Sequence, residues 1–536
     1  MSVPPASKPL ATKPRAVVIG AGVAGLAAAC LMSKDYDVTV LEKNTESGGR
    51  VGRLRDGGFL WDTGPSWLLM PDAYKRFYQR MGTTMEAELD LVRLDPAYRV
   101  FHEGFDPVDV RSGIPEVRAL FDTLSPGDGE KVTAYLDSAT DTYRMAVKMF
   151  LYTTFSSVRP FLTRAMLGRL GTLQRLLMTS LKRHVERNFS HPIAQKILQY
   201  PAVLLATSPA DTPAMYHLLS HADLVEGVYY PRGGFGTVVD SLERLALGQG
   251  VELRFGYEAR AITSTPVDAK ETRHKATGVR VCQVNSDKGG VKETEVLPAD
   301  VVIAAGDMYH TDTQLLPSKL RSHPERHWKH TKPGIGVVVA MLGVRGHLPQ
   351  LTHHQLILSS EWEEDFDAIF NSPHGSSHSI YVCKPSETDA EIAPEGHENL
   401  FILIPTSAST DIGHGSTYND EPTPKVEMLV DAAIQLISDR CGIPDLEERV
   451  VARHTLGPAD FAQRYFAWHC LGLRPHAAAI RLHAGQPGIQ DGGGLVLRWE
   501  HHHPGCWGAD VPDQRRECGV ARRRLPGVIT VGCPSR

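Results

Sequence analysis

The ordered pattern of this chain begins at Ala16–Ile19, a β-branched apolar run of the kind that fills a strand buried on both faces. An Ala/Leu/Met run, Leu26–Met32, predicts a helix, and Val38–Leu41 predicts a second buried strand. Further along, Pro71–Gly82 has helical spacing, and Tyr98–His102 alternates as a strand. A helical block starts near Asp128, and Thr237–Leu247 reads as another helix. Val251–Ile262 predicts a β-hairpin or strand pair, and Ala299–Asp307 a buried strand ending in a turn. Strands also begin at Gly334–Gly336 and span Leu400–Ile404, and Val426–Asp439 is an amphipathic helix. Strands alternating with helices predict an α/β fold with a Rossmann-like nucleotide-binding sheet, and the later strands a second, mixed-sheet lobe.

Between the first strand and the first helix stand Gly20, Gly22 and Gly25, a G-x-G-x-x-G turn, and Glu42 closes the second strand 22 residues after Gly20. Strand, glycine turn, helix, strand and acid in that order form a dinucleotide fingerprint. Gly20 makes the turn, Gly22 lets a pyrophosphate approach the backbone, and Gly25 lets helix and strand pack closely. The helix N-terminus offers N–H groups and a positive dipole end to phosphate, and Glu42 can accept from a ribose diol.

Gly48-Gly49-Arg50 follows almost at once, then GFLWDTGPS over Gly58–Ser66, with Asp62-Thr63-Gly64-Pro65 at its centre. With these residues the chain resembles the FAD-dependent amine oxidase and phytoene desaturase superfamily, whose GGR loop wraps the flavin. The Pro231-Arg232-Gly233-Gly234-Phe235-Gly236 turn is similar to one in phytoene desaturases, where the chain returns to the FAD domain. The resemblance to bacterial, actinobacterial-like carotenoid desaturases extends through Cys383-Lys384-Pro385-Ser386, Asp389 and Ala393-Pro394-Glu395-Gly396, and covers roughly Arg15 to Trp468. It implies FAD as cofactor, with Gly20, Gly22, Gly25, Glu42, Gly48, Gly49, Arg50, Gly64, Pro65 and Asp307 around it, and adenine contacted by backbone groups near Val251. The family usually has Asn where Ala305 stands, which puts one side-chain contact in doubt.

The resemblance divides the chain into a polar, Pro-rich lead (1–13) expected to be disordered, FAD-binding parts at 14–75 and 231–330, and substrate-domain parts at 76–230 and 331–455. A third FAD-binding part is expected over 456–536. The implied activity is desaturation of phytoene to more conjugated carotenes such as neurosporene or lycopene, with quinone or oxygen as electron acceptor. No catalytic side chain is singled out. A flavin amine oxidase, another polyene desaturase or isomerase, and a prenyl-binding escort protein of the same fold are the alternatives.

Composition adds limits. The 536 residues are 42% apolar and 22% charged with net charge −5, ordinary for a globular enzyme and without the basic excess of a nucleic-acid binder. The lead lacks the apolar core of a secretory signal, and the eight cysteines show no C-x-x-C spacing, so a reducing cytoplasm is expected. Arg144–Arg187 holds nine Lys or Arg residues against one acid, Glu186, interleaved with Met, Phe and Leu. That mixture suits a helical lid lying in a membrane interface, which a bilayer-dwelling polyene substrate would require of a peripheral enzyme; Arg159 and Arg164 fall within it. The adjacent His353-His354 pair, as strand neighbours, should face opposite ways and share no metal. No metal site is expected.

After Trp468 the pattern fails. Cys470–Arg536 carries four of the eight cysteines, five histidines and eleven glycines, and apolar periodicity largely disappears. The family's Gly-rich flavin segment and its Pro-Met helix start are missing. Written in degenerate codons and read one base later, Arg498–Cys518 can encode GGNTTTPGVGVPMCLISGEN, which resembles that missing segment closely. The constraint is strong at two places. Each codon of His501-His502-His503 can shift only to Thr or Ile, and Trp507 before Gly508 must shift to Gly. A frame change from about residue 469 is therefore expected, and with it weak flavin binding by the chain as written.

Overall fold

The computed structural model describes residues 13–148, 170–267, 273–284, 291–467, 497–498 and 529–530. The expected lead, residues 149–169 of the basic–apolar stretch with Arg159 and Arg164, and nearly all of the segment after Trp468 lie outside the described residues.

The nucleotide-binding half is a parallel sheet in the order 497–498, Val301–Ala304, Arg15–Ile19, Asp37–Glu42, Glu252–Phe255. Its strands are short and β-branched because both faces are covered. On one side the helix Val23–Met32, buried along nearly its whole circumference, is sandwiched between the sheet and the helix Gly236–Gly248. Small Ala side chains let it sit that close. On the other side packs an antiparallel meander of Tyr257–Pro266, Arg273–Val284 and Val291–Pro298. The expected pair over Val251–Ile262 is thus divided: its first part joins the parallel sheet, and Gly256, at φ +73°, turns the second part into the meander.

The second half is a mixed seven-stranded sheet: Val450–Leu456, Gly336–Arg345, His397–Thr406, Ile380–Cys383, His354–Leu358, Tyr98–His102, Val108–Val110. Only the His354–Leu358 and Tyr98–His102 pair runs parallel. The helix Pro424–Cys441, ended by Gly442 at φ +67°, covers one face through Val426, Val430, Ile434 and Ile437. The opposite face carries Val337, Val339, Met341 and Phe401 against Phe59 and Trp61 of the hairpin Arg53–Asp56/Phe59–Asp62. That hairpin comes from the nucleotide-binding half, so the two halves share a core. Helices Ile114–Leu124, Asp128–Ala146, Leu181–Glu186 and Pro192–Gln199 pack beside the Tyr98 edge. Among the described residues, no helix is long and apolar enough to cross a membrane.

Candidate functional site

The glycine turn lies at the carboxyl edge of the parallel sheet, where ligands of open α/β sheets bind. Gly20 stands at φ +101°, and its N–H donates to Leu41 O at 2.7 Å. A Cβ on Gly25 would sit 1.9 Å from Gly20 O, so the turn and the helix approach each other only because position 25 has no side chain. Gly22 begins the helix without any side-chain cap, and no acid stands in the first turn. The first-turn N–H groups of such a helix have no intrahelical acceptor and are available to phosphate.

Glu42 is buried and organises the turn. Its Oε2 accepts from Ala21 N at 2.9 Å, and its Oε1 accepts from Asn44 N at 3.0 Å and from Asn44 Nδ2 at 2.7 Å. A carboxylate offers about four acceptor directions, so acceptor capacity remains for a ribose hydroxyl. The GGR loop lies directly across the turn: Gly48 N donates to Ala21 O at 2.9 Å, and Gly22 and Gly48 form a parallel bridge. A Cβ on Gly49 would come within 3.4 Å of Gly22 Cα. Two backbones meeting this closely form the narrow cradle that a pyrophosphate needs.

The second shared segment braces the first. Thr63 N donates to Gly52 O at 2.9 Å, and a Cβ on Gly64 would sit 2.0 Å from Arg50 O. Gly64 therefore lets the chain pass close to Arg50, and Pro65 follows it in sequence. Asp307 follows the strand Val301–Ala304, next to the turn through Ala305 N donating to Ile19 O at 2.9 Å. It caps a short helix by accepting from His310 N at 3.0 Å, and burial raises its carboxyl while Arg50 pulls it down. Gly20, Gly22, Gly25, Glu42, Gly48, Gly49, Arg50, Gly64 and Asp307 thus lie in one region, with Pro65 next to Gly64 in sequence.

Val251 does not join them. Parallel register sets Glu252 opposite Thr39 and Phe255 opposite Glu42, so Val251 precedes the amino end of its strand, away from the carboxyl edge. Its N–H donates to Ala246 O at 3.0 Å and its side chain is in the core. The segment that follows Phe255, Gly256 to Ala259, is the one that leaves the sheet beside Glu42. The resemblance names the strand that meets adenine but not which of its ends faces the cradle; the parallel register decides that.

Sequence reasoning also missed the clamp on the P-R-G-G-x-G turn. Asp62 accepts from Phe235 N at 2.7 Å and Gly236 N at 3.1 Å, and Asp389 accepts from Gly233 N at 2.7 Å. Burial pushes the Asp62 carboxyl up to about 6, against the pull of those donors. Asp62, Ser66, Tyr230, Cys383 and Phe401 line a small void between the halves. Near it, Trp67 stacks on His354 with ring centroids 4.9 Å apart and contacts Tyr98, Tyr200 and Tyr381. These aromatics are dispersed over the chain, and no spacing in the sequence announces them.

Below that cluster lies Asp223, fully buried, with Oδ2 accepting from Tyr98 OH at 3.1 Å. Desolvation raises its carboxyl from 3.8 to about 7, and the Tyr200 and Tyr98 hydroxyls pull it back only in part. The folded state therefore holds this proton more tightly than the unfolded chain. Its contribution to stability is complete below pH 3.8 and is lost as pH rises toward 7, about 4 kcal/mol in all. The Asp223→Asn variant should lack that loss. Urea melts of variant and parent should give a stability difference that shifts in the variant's favour between those pH values and is flat above. A flat difference throughout would place the Asp223 carboxyl at its ordinary value.

The chain matches the family of flavin containing amine oxidoreductases over residues 23–412. The chain belongs to that family. It is 37% identical to a carotenoid 3,4-desaturase of Haloarcula japonica over 84% of this chain and 86% of the relative. It is 30% identical to a zeta-carotene-forming phytoene desaturase of Myxococcus xanthus over 84% of this chain and 81% of that one. A solved oxidoreductase from Methanosarcina mazei shares the fold at TM-score 0.54 and 18% identity, over 83% of this chain and 88% of that structure. FAD is the cofactor of this flavoprotein family member, and the residues present fit its ADP half. The side-chain-free cradle of Gly22, Gly48 and Gly49 admits a pyrophosphate, and Glu42 keeps acceptor capacity toward a ribose.

Proposed function

We propose that this chain is a carotenoid desaturase acting on phytoene or a closely related polyene, and that its product is a more conjugated carotene of the neurosporene or lycopene type. The observation that carries the reading is the 37% identity to a carotenoid desaturase across 84% of the chain, with the ADP cradle complete. Bound FAD supplies a hydride acceptor at N5 for an allylic C–H bond. The residues of the chain do the rest by placement. Gly20, Gly22, Gly25, Glu42, Gly48 and Gly49 would hold the adenosine and pyrophosphate, and Gly64 and Asp307, both beside Arg50, would shape the loop leading away from them. The shared core of Phe59, Trp61 and the mixed sheet keeps water from the junction of the halves, which a substrate without polar groups requires.

The finer parts of the proposal concern surroundings. The enzyme works at the cytoplasmic face of a membrane, held by the basic–apolar stretch around 144–187, with quinone or oxygen as final electron acceptor. Met178, 63% exposed at the end of the amphipathic helix Leu170–Met178, supports that placement. The test is complementation. A host accumulating colourless phytoene should form coloured carotenes when it receives the frame-restored gene, with products identified by absorption and mass. Unchanged phytoene, with the flavoprotein present and flavin-loaded, would overturn the substrate assignment.

A further inference from the structure

The expectation that His353 and His354 face apart fails, and its failure exposes a site. His354 is the first residue of the strand His354–Leu358 and pairs with Cys383 across the antiparallel ladder, so the two side chains share a face. His353 lies just before the strand, where the pleat no longer sets its direction. Its ring swings beside that of His354, with centroids 4.5 Å apart. One ligand atom from each of His353, His354 and Cys383 lies within 4.8 Å of the others, and all three residues are buried, at 2%, 0% and 2% exposure.

Each ring is anchored through its Nδ1. His353 Nδ1 is 2.7 Å from Thr388 Oγ1, and His354 Nδ1 is 2.8 Å from Tyr381 OH, which in turn is 2.6 Å from Ser66 Oγ. The Nε2 atoms of both rings are buried with no partner. An unpartnered buried polar atom carries a desolvation cost, and each of these two neighbouring imidazoles carries one that a ligand could satisfy. With Nδ1–H donating to a hydroxyl, Nε2 presents its lone pair, the arrangement found around metal-bound histidines. Cys383 forms no disulfide, its thiol meets the Tyr381 hydroxyl, and it lines the same void as Asp62.

We propose that His353, His354 and Cys383 bind one thiophilic transition-metal ion, with Zn²⁺ the best-matched common cation. Two imidazoles and a thiolate form a borderline-soft donor set. A tetrahedral ion with ordinary Zn–N and Zn–S bonds needs ligand atoms about 3.3–3.7 Å apart, so the three must close by about an ångström. Binding removes the thiol proton, which leaves to solvent, and the Cys383 thiolate offsets one of the two positive charges. The Asp62 carboxylate is the anion placed to offset the other. The nearest opposing cation, buried Lys384, is already neutralised by Glu387 at 2.7 Å and Glu398 at 3.1 Å. Such an ion would tie two strands of the substrate sheet together beneath Trp67, a role separate from flavin chemistry and independent of the proposed reaction.

The test uses the full chain without an affinity tag, dialysed against Zn²⁺ and then against metal-free buffer. The parent should retain one more zinc per chain than His353→Gln or Cys383→Ser by elemental analysis, a comparison that subtracts ions held elsewhere. With Co²⁺ it should show a thiolate-to-metal charge-transfer band that Cys383→Ser lacks. Zinc should raise the parent's Tm and leave those of the variants unmoved, while all three melt cooperatively without metal. Equal retained zinc in parent and variants, or a cobalt spectrum unchanged by Cys383→Ser, would overturn the proposal. A variant that fails to melt cooperatively is replaced by His354→Gln, read in the same way.

Discussion

Restoring the reading frame downstream of Trp468 should turn a chain with substoichiometric FAD into one with stoichiometric FAD. The described residues account for this. The contacts assembled around the glycine turn suit the ADP half of the cofactor: Glu42 would face the ribose, and Gly22 and Gly48 the pyrophosphate. The segment that resemblance assigns to the flavin ring is the one whose codons, read one base later, can spell a Gly-rich turn running into a Pro-Met helix start. A helix N-terminus there would face the ring where negative charge develops on reduction. Without it the flavin is gripped at one end only. The measurement is the flavin-to-protein absorbance ratio of both chains, purified in parallel. Stoichiometric flavin in the chain as written, or a DNA sequence whose shifted frame does not encode that peptide, would overturn the proposal.

Gly25→Ala is expected to abolish most FAD binding in the frame-restored chain. The added Cβ would lie 1.9 Å from Gly20 O and 3.3 Å from the Ala305 side chain. Both are fixed: Gly20 by its bond to Leu41 O, and Ala305 by its bond to Ile19 O. The helix must therefore move away from the sheet. Overpacking of a tight core costs about 1–3 kcal/mol, and the displaced helix end carries the phosphate-facing N–H groups with it. Affinity for FAD should fall about tenfold or more, since every 1.4 kcal/mol of lost contact is a factor of about ten. Titration of apo-protein with FAD by flavin fluorescence reads the change. Gly248→Ala is the control: Gly248 is the last residue of the helix Gly236–Gly248, outside the left-handed region, and nothing lies within 4 Å of an added Cβ. Its FAD affinity should be unchanged. Equal FAD affinity in Gly25→Ala and the parent would mean that the turn relaxes without moving the helix.

Local pattern settled a good deal. Period, glycine spacing and the acid at position 42 specified the βαβ unit and its ligand end, because each is a short-range requirement of one backbone path. Resemblance to the family, not local pattern, assigned Gly48-Gly49-Arg50 and Gly64 to the cofactor; the fold lays the first on the turn through Gly48 N to Ala21 O and packs the second against Arg50. The helices read over Pro71–Gly82 and Val426–Asp439 were equally legible, each found with its end one or two residues away.

What only the tertiary structure decided depends on direction and on distance along the chain. Parallel register turned Val251 away from the cradle and put Phe255 beside Glu42, a choice that a run of alternating residues does not encode. The clamps of Asp62 and Asp389 on the Pro231–Gly236 turn join residues more than a hundred positions apart. The histidine pair shows the limit most directly. Strand alternation predicted opposite faces, but alternation holds only inside the ladder, and His353 stands one residue outside it. That single residue brings two unpartnered imidazole nitrogens and a thiol together in the interior.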